Sequence, residues 1–353
     1  MSVNKLNKKP NKKLDKKLNI AVLGATGMIG EIMLEVLAQR DFPVAKLWPL
    51  ASKRSAGESV AFKNRLHQVQ DVAEFDFSQV DLAFFSAGSE ASKIYAPIAA
   101  EAGCIVIDKS AYFRQDPEVP LIVPEVNPGD IQYFRNKNII ANPNCSTIPM
   151  LVALKPIYDA VGIERINVAT YQSVSGTGKK AVDELVTQVG DLLNGRPVQK
   201  NVYPEQIAFN VLPQIDVFQD NDYTKEEMKM HWETQKILGD GDILVNATAV
   251  RVPVFYGHSL AVHLETREKI SIEAVQALLR EAPGVILKAE PENYPSPITQ
   301  MAEDNKTDAV YVGRLREDFT HPRGINLWIV ADNTRKGAAV NGIQIAELLL
   351  EYL

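Results

Sequence analysis

Only two cysteines, Cys104 and Cys145, occur in 353 residues, too few for a disulfide framework in a chain of this length. A reducing compartment, the cytoplasm, is the default expectation. No apolar run approaches the ~20 residues that a membrane helix needs, which argues against a membrane role. The N-terminus lacks both the apolar core of a secretory signal and the arginines of a transit peptide. The five histidines, His67, His231, His258, His263 and His321, form no cluster with ligand spacing, so no metal is expected. Positive charge is also scarce, except at one end. Residues 1–18 hold seven lysines against the single acid Asp15, which leaves about −12 on the remaining chain by subtraction from the net −6. Such a body does not suit nucleic acid as a partner. Residues 1–18 read as a solvated, disordered tail, with a weak contact to an anionic surface as the sharper alternative.

A chain of 353 residues exceeds the usual size of one hydrophobic core, so two domains are expected. The run Asn19–Leu23 is followed at once by Gly24–Gly30 (GATGMIG), and then by apolar residues at helical spacing over Glu31–Ala38. That order is strand, glycine turn, helix. Further strand-like runs lie at Val44–Ala51, Asp81–Phe85 and Cys104–Asp108, with a helical stretch, Glu90–Ala102, between the last two. Apolar runs alternating with helices predict an α/β, Rossmann-type doubly wound domain over 19–144. Beyond Pro143 the segments Ile166–Val174, Leu244–Val254 and Ser259–Leu264 alternate in polarity and read as half-buried antiparallel strands. They predict an α+β domain over 145–332 with a mostly antiparallel sheet. The helix pattern Lys336–Leu350, within 333–353, is expected to complete the first domain.

Gly24, Gly27 and Gly30 form GxxGxxG rather than GxGxxG. The physical demand is similar: a tight turn, room for a pyrophosphate, and helix N–H groups facing the phosphates. The position of the pattern between a strand and a helix favours dinucleotide binding over a merely structural turn. An NAD site would place an acid at the end of the next strand. Ser52, Arg54 and Ser55 stand there instead, which favours the 2′-phosphate of NADP, with a basic surface loop as the plainer reading. Ser86 ends the following strand among small residues that let backbone approach a cofactor.

Asn142–Thr147 (NPNCST) carries the strongest chemical signal. A helix pattern begins at Thr147, so Cys145 sits near a helix N-terminus, where the dipole and unpaired amides stabilise a thiolate. Cys104, inside an apolar strand, fits the ordinary pattern of cysteine as a small buried hydrophobe. His258, preceded by Gly257, falls at a break between two alternating segments, a common place for a presented side chain. Glu226 and Lys229 share one face of a helix expected over Thr224–Leu238, where a surface salt bridge is the plain reading. Thr224 and Glu227 have the spacing of a capping box.

With the Gly24–Gly30 turn, the NPNCST segment resembles the aspartate-semialdehyde dehydrogenase family. Further matching segments are Lys109–Arg114 (KSAYFR), Tyr171–Gly178 (YQSVSGTG), Glu226–Lys229 (EEMK), Arg251–Ser259 (RVPVFYGHS) and Ala331–Arg335 (ADNTR). The resemblance spans essentially the whole chain after the tail. It implies NADPH-dependent reduction of β-aspartyl phosphate to aspartate semialdehyde and phosphate, in the biosynthesis of the aspartate-family amino acids. It makes Cys145 the nucleophile, His258 the acid/base and Gln172 the group that orients the acyl carbonyl. Arg114, Lys229 and Asn144 are implied for the phosphate, Arg251 for the carboxylate through a two-point contact, and Glu226 for the ammonium. NADP contacts are implied at Gly24, Thr26, Gly27, Met28, Ile29, Gly30, Ser52, Arg54, Ser55, Ser86, Ser175, Gly176 and Asn333. The family forms homodimers. Two alternatives stay open: a reductase of N-acetylglutamyl phosphate, against which an acid at 226 argues, and a non-catalytic dinucleotide-binding relative.

Overall fold

A computed structural model describes residues 17–298 and 308–353. Residues 1–16, most of the lysine-rich tail, lie outside the described residues. The described chain divides into two compact units, one of 17–143 with 338–353, the other of 144–298 with 308–337. No described helix is long and apolar enough to cross a membrane.

In the first unit the chain runs β1 (Leu18–Leu23), α1 (Met28–Gln39), β2 (Val44–Ala51), β3 (Ser59–Phe62), β4 (Arg65–Gln68), β5 (Gln70–Asp71), β6 (Leu82–Phe85), α2 (Ser89–Glu101), β7 (Ile105–Asp108) and β8 (Ile139–Ala141). Six strands form one parallel sheet in the order β5-β2-β1-β6-β7-β8, while β3 and β4 make a separate hairpin. Strand order reverses beside β1, the doubly wound arrangement, and ligands of such sheets bind outside the carboxyl ends of the strands at that point. Ile20, Val22, Leu82 and Phe84 are fully buried. Because helices cover both faces of a parallel sheet, such strands read as unbroken apolar runs.

In the second unit the chain runs α3 (Thr147–Val161), β9 (Ile163–Gln172), α4 (Lys179–Leu193), α5 (Lys225–Leu238), β10 (Leu244–Arg251), β11 (His258–Thr266), α6 (Ile272–Glu281), β12 (Val285–Lys288), β13 (Val310–Glu317) and β14 (Gly324–Ala331). The sheet order is β10-β9-β11-β14-β13-β12. The three inner pairings are antiparallel. The sheet is mostly antiparallel as expected, but its edge strands are not: β10, expected antiparallel, lies parallel to β9, and β12, which the sequence did not single out, lies parallel to β13. Alternating polarity reports a half-buried strand but not its direction. The long connection through α4 and α5 lets β10 return parallel to β9. The expected capping box on α5 is formed, with the Thr224 N–H donating to Glu227 Oε2 at 2.7 Å and the Glu227 N–H to Thr224 Oγ1 at 3.3 Å.

The expected C-terminal helix begins instead as a π-helical turn, Arg335–Ala339, and continues as α7 (Val340–Leu349). Such a turn inserts an extra residue into the helical ladder, here through the bond from the Gly337 N–H to the Asp332 carbonyl at 2.9 Å. Val340, Ile343, Ala346 and Leu349 of α7 join the core of the first unit with Met33, Leu37 and Ile107.

Candidate active site

The first unit carries the glycine turn. Gly24 has φ +85°, and a Cβ there would meet the Ser86 carbonyl at 2.9 Å; a Cβ on Gly30 would fall 2.1 Å from the Gly24 carbonyl oxygen. Both close approaches demand glycine, as the packing of α1 onto the strand ends requires. Gly27 is the N-cap of α1 and offers no side-chain cap, so the first amides of that helix remain suited to an anion. Thr26, Met28 and Ile29 are partly accessible on the same turn, as is Ser86 at the end of β6. Ser52 and Arg54 are exposed and Ser55 is half-buried in the turn that follows β2. This cradle fits a dinucleotide. Arg114 also belongs to this unit, donating from Nε to the Asn142 carbonyl at 2.9 Å and from Nη2 to the Lys109 carbonyl at 2.8 Å.

The second unit gathers the nucleophile and its neighbours. Asn144 Oδ1 accepts from the Ser146 and Thr147 N–H groups at 2.8 and 3.4 Å, turning the chain into α3 just beyond Cys145. The Asn144 N–H donates to Glu233 Oε2 at 2.6 Å, and its Nδ2 donates to Glu226 Oε1 at 2.9 Å. Gly337 packs against Cys145, where a Cβ would come within 3.1 Å of the Cys145 Cβ. Cys145 is only partly buried, whereas Cys104 is fully buried. Burial, then the charge of Asp81, pushes the Cys104 thiol up to about 12, so it stays protonated and inert.

Cys145 Sγ lies 3.4 Å from Nε2 of the fully buried His258, the first residue of β11. Gly257, with φ +87°, sets the turn that delivers it. Burial, reinforced by the positive charge of Arg251 and only partly opposed by Glu226, lowers the imidazole to about 3. The ring is therefore neutral at physiological pH in the unliganded protein. Gln172 at the end of β9 donates from Nε2 to Glu226 Oε1 at 3.1 Å and approaches His258 Nε2 at 3.4 Å. Thr170 Oγ1 donates to Gln172 Oε1 at 3.0 Å, which fixes the orientation of the amide.

Glu226 is not on the surface. It is buried, and Lys229 bridges it and Asp216 at 3.0 and 2.8 Å. Burial alone would raise the Glu226 carboxyl. The Lys229 charge and donors from Asn144, Lys229 and Gln172 outweigh that and hold it at about 2. Arg251, at the end of β10, donates from Nη1 to the Ser173 carbonyl at 2.7 Å, while its buried Nε has no hydrogen-bond partner among the described residues. A buried guanidinium with an unused donor suits an anionic group. Gly176 lies beside Arg251 and His258, where a Cβ would approach Arg251 Nη1 at 2.8 Å and the imidazole at 3.3 Å.

The structure thus gathers Asn144, Cys145, Gln172, Glu226, Lys229, Arg251 and His258 in one unit. It sets Ser175 and Asn333 behind the imidazole, where Asn333 Oδ1 accepts the Gly257 N–H at 2.9 Å. Sequence reasoning missed Thr170, Ser173, Glu233 and Gly337. Glu233 had a usable signal, because it stands two helical turns from Glu226 on the same face of α5. The others had none.

The sequence matches two family descriptions, "Semialdehyde dehydrogenase, NAD binding domain" over 19–133 and "Semialdehyde dehydrogenase, dimerisation domain" over 154–336. It is 61% identical over 337 residues to an aspartate-semialdehyde dehydrogenase of Shewanella violacea, covering 96% of this chain and 99% of that one. It is 58% identical to the Legionella pneumophila protein of the same name, covering 95% and 96% of the two chains. Among solved structures, aspartate semialdehyde dehydrogenase II of Vibrio cholerae complexed with ASA is 59% identical, with TM-score 0.92 over 95% of this chain and 99% of that one. The Candida albicans enzyme with NADP is 26% identical, with TM-score 0.75 over 95% and 99%.

Proposed function

The chain belongs to the aspartate-semialdehyde dehydrogenase family, and on that premise we propose that it reduces β-aspartyl phosphate with NADPH through a thioester on Cys145. It is an oxidoreductase acting on an aldehyde group and carries an NAD(P)-binding domain. The observation that carries the finer reading is the 3.4 Å approach of His258 Nε2 to a sulfur at the start of α3. An imidazole there takes the thiol proton, and the helix terminus stabilises the thiolate. The thiolate attacks the acyl phosphate, and phosphate leaves. A nicotinamide cofactor, when held by the Gly24–Gly30 turn, would supply the hydride for the thioester. Gln172 steers the acyl oxygen, and His258 gives its proton to that oxygen as the thiohemiacetal forms and takes it back as the C–S bond breaks to leave aldehyde and thiolate.

Charge sorts the substrate. Arg251 receives the α-carboxylate in a two-point contact, and the ionised Glu226 faces the α-ammonium. Lys229 and Asn144 serve the phosphate. A buried carboxylate at 226 gives no advantage with an acetylated amine, which disfavours N-acetylglutamyl phosphate, and the sulfur–imidazole pair disfavours a non-catalytic role. Arg54, with Ser52 and Ser55, selects NADP, with Gly24 to Gly30 against the pyrophosphate. The dimerisation-domain match supports a homodimer, and a biosynthetic role supports a cytoplasmic location.

The test is an assay in the oxidative direction with aspartate semialdehyde, phosphate and NADP, run beside NAD and N-acetylglutamate semialdehyde. Phosphate-dependent NADPH formation with aspartate semialdehyde is expected; its absence with every pairing ends the reading.

A further inference from the structure

Ser173 presents two groups of opposite character to one ring nitrogen of His258. Its backbone N–H donates to Nδ1 at 3.1 Å, and its hydroxyl oxygen lies 3.2 Å from the same Nδ1. A neutral imidazole carries one proton, and a protonated ring carries two. An N–H alone at Nδ1 would lock the proton on Nε2, where the ring could not accept one from Cys145.

Asn333 Oδ1 lies within reach of both hydroxyls, 3.1 Å from Ser173 Oγ and 3.2 Å from Ser175 Oγ, and the Ser173 hydroxyl can accept from Nδ1 when its own proton goes to that oxygen. Asn333 Nδ2 donates to Ser175 Oγ at 3.0 Å, Ser175 Oγ is 3.0 Å from Ser173 Oγ, and Ser173 Oγ donates to Asn333 Oδ1 at 3.1 Å. Read in that sense, the three side chains close a ring in which each hydroxyl donates once. Ser173 Oγ then keeps a lone pair for Nδ1. Asn333 Oδ1 also accepts the Gly257 N–H at 2.9 Å, so the ring is fastened to the turn that delivers the imidazole.

Resting on the reading of Cys145 as nucleophile and His258 as acid/base, we propose that Ser173 is a positioning residue that lets His258 take the Cys145 proton. Its hydroxyl receives Nδ1–H in both the proton-accepting tautomer and the imidazolium, and its amide satisfies Nδ1 in the other tautomer. In the step, the S–H bond breaks, its electron pair stays on sulfur, and an N–H bond forms at Nε2. Charged groups around the imidazole come from several elements. Arg251 at the end of β10 opposes a charged ring, and Glu226 on α5 favours it. Lys229 on α5 is tied to Glu226 and Asp216. Once Cys145 is anionic, its charge at 3.4 Å also favours the imidazolium. The Gly257 backbone also favours the charged ring, and Ser173 adds a side-chain acceptor at its far nitrogen.

The test compares the full-length protein with its Ser173→Ala and Ser173→Thr forms. Cys145 alkylation by iodoacetamide, followed against pH, is expected to slow roughly tenfold near neutrality in Ser173→Ala, its midpoint moving to higher pH than in the wild type. Turnover falls by a similar factor, with KM values within about twofold, and Ser173→Thr restores both. Nitrogen-15 spectra of the imidazoles, with His258 assigned by His258→Asn, are expected to report a protonated Nδ1 population that Ser173→Ala removes. Wild-type alkylation and turnover in Ser173→Ala would overturn the proposal. Should that variant fold poorly, the wild-type spectrum decides alone: Nδ1 bare throughout about pH 5 to 9 would also overturn it. Alkylation and spectra need neither substrate nor cofactor, so this outcome is separable from failure of the enzymatic reading, which shows as wild-type protein without phosphate-dependent turnover.

Discussion

Asn144 Nδ2 donates to Glu226 Oε1 at 2.9 Å across 82 residues of sequence, fastening the nucleophile's turn to α5. The same side chain caps the start of α3 through Oδ1. Asn144→Ala removes both contacts and is expected to cost about 1 kcal/mol of stability, the usual worth of a helix cap. Asn144→Asp keeps the cap acceptor but sets a second carboxylate against Glu226, so stability holds better while kcat/KM falls on the order of a hundredfold. Urea titration and steady-state kinetics on the pair separate the two roles; equal losses of both quantities in both variants would refute the division.

His258 and Glu226 make stability depend on acid. The folded imidazole sits at about 3 against an ordinary 6.5, so between those values the unfolded chain binds a proton that the folded protein does not. Stability therefore falls as pH drops through that window, by at most about 1.4 kcal/mol per pH unit from this residue. Glu226, held at about 2 against 4.5, adds stability above 4.5 that is lost as pH falls toward 2. Denaturation at a series of pH values should show His258→Asn with a shallower decline than the wild type between about pH 6.5 and 4.5. Parallel curves would mean the folded ring titrates normally.

Arg251→Lys keeps the charge but loses the planar fork and the unpartnered Nε. The expected result is a loss of roughly 2 to 5 kcal/mol in kcat/KM for aspartate semialdehyde, with cofactor KM little changed. Unchanged kinetics would place the carboxylate elsewhere.

Arg54→Glu puts a negative charge where a 2′-phosphate is expected. KM for NADP should rise tenfold or more on the order-of-magnitude scale of one lost charge-assisted contact, while that for NAD changes little. An unaltered NADP/NAD ratio would reduce this turn to a surface loop.

The first unit's sheet was legible because its strands are buried on both faces: Ile20, Val22, Phe84 and Val106 appear in the sequence as plain apolar runs. The β3–β4 hairpin was not. Its turn residues Lys63 and Asn64 both take positive φ, 46° and 61°, yet the glycine that usually marks such a turn is missing. Direction was equally silent for β10, since polarity alternates alike in parallel and antiparallel edge strands. At the site, Cys145 and His258 stood out through their flanking residues. Ser173 did not, because its meaning lies in a contact with a ring 85 positions away. Glu226 looked like half of a surface pair with Lys229 until folding buried it against Asn144 and Gln172. Gly337, inside a run of small residues, read as ordinary helix; its place in a π-helical turn and its close approach to Cys145 arise only in the folded chain.

Covalent capture at Cys145 is tested most directly by mass spectrometry of the protein mixed with aspartate semialdehyde and NADP in the absence of phosphate. An aspartyl thioester on Cys145, formed with one equivalent of NADPH and discharged by added phosphate, is the expected result, with none in Cys145→Ala. NADPH formation without an adduct at Cys145, or sustained turnover by Cys145→Ala, would contradict it.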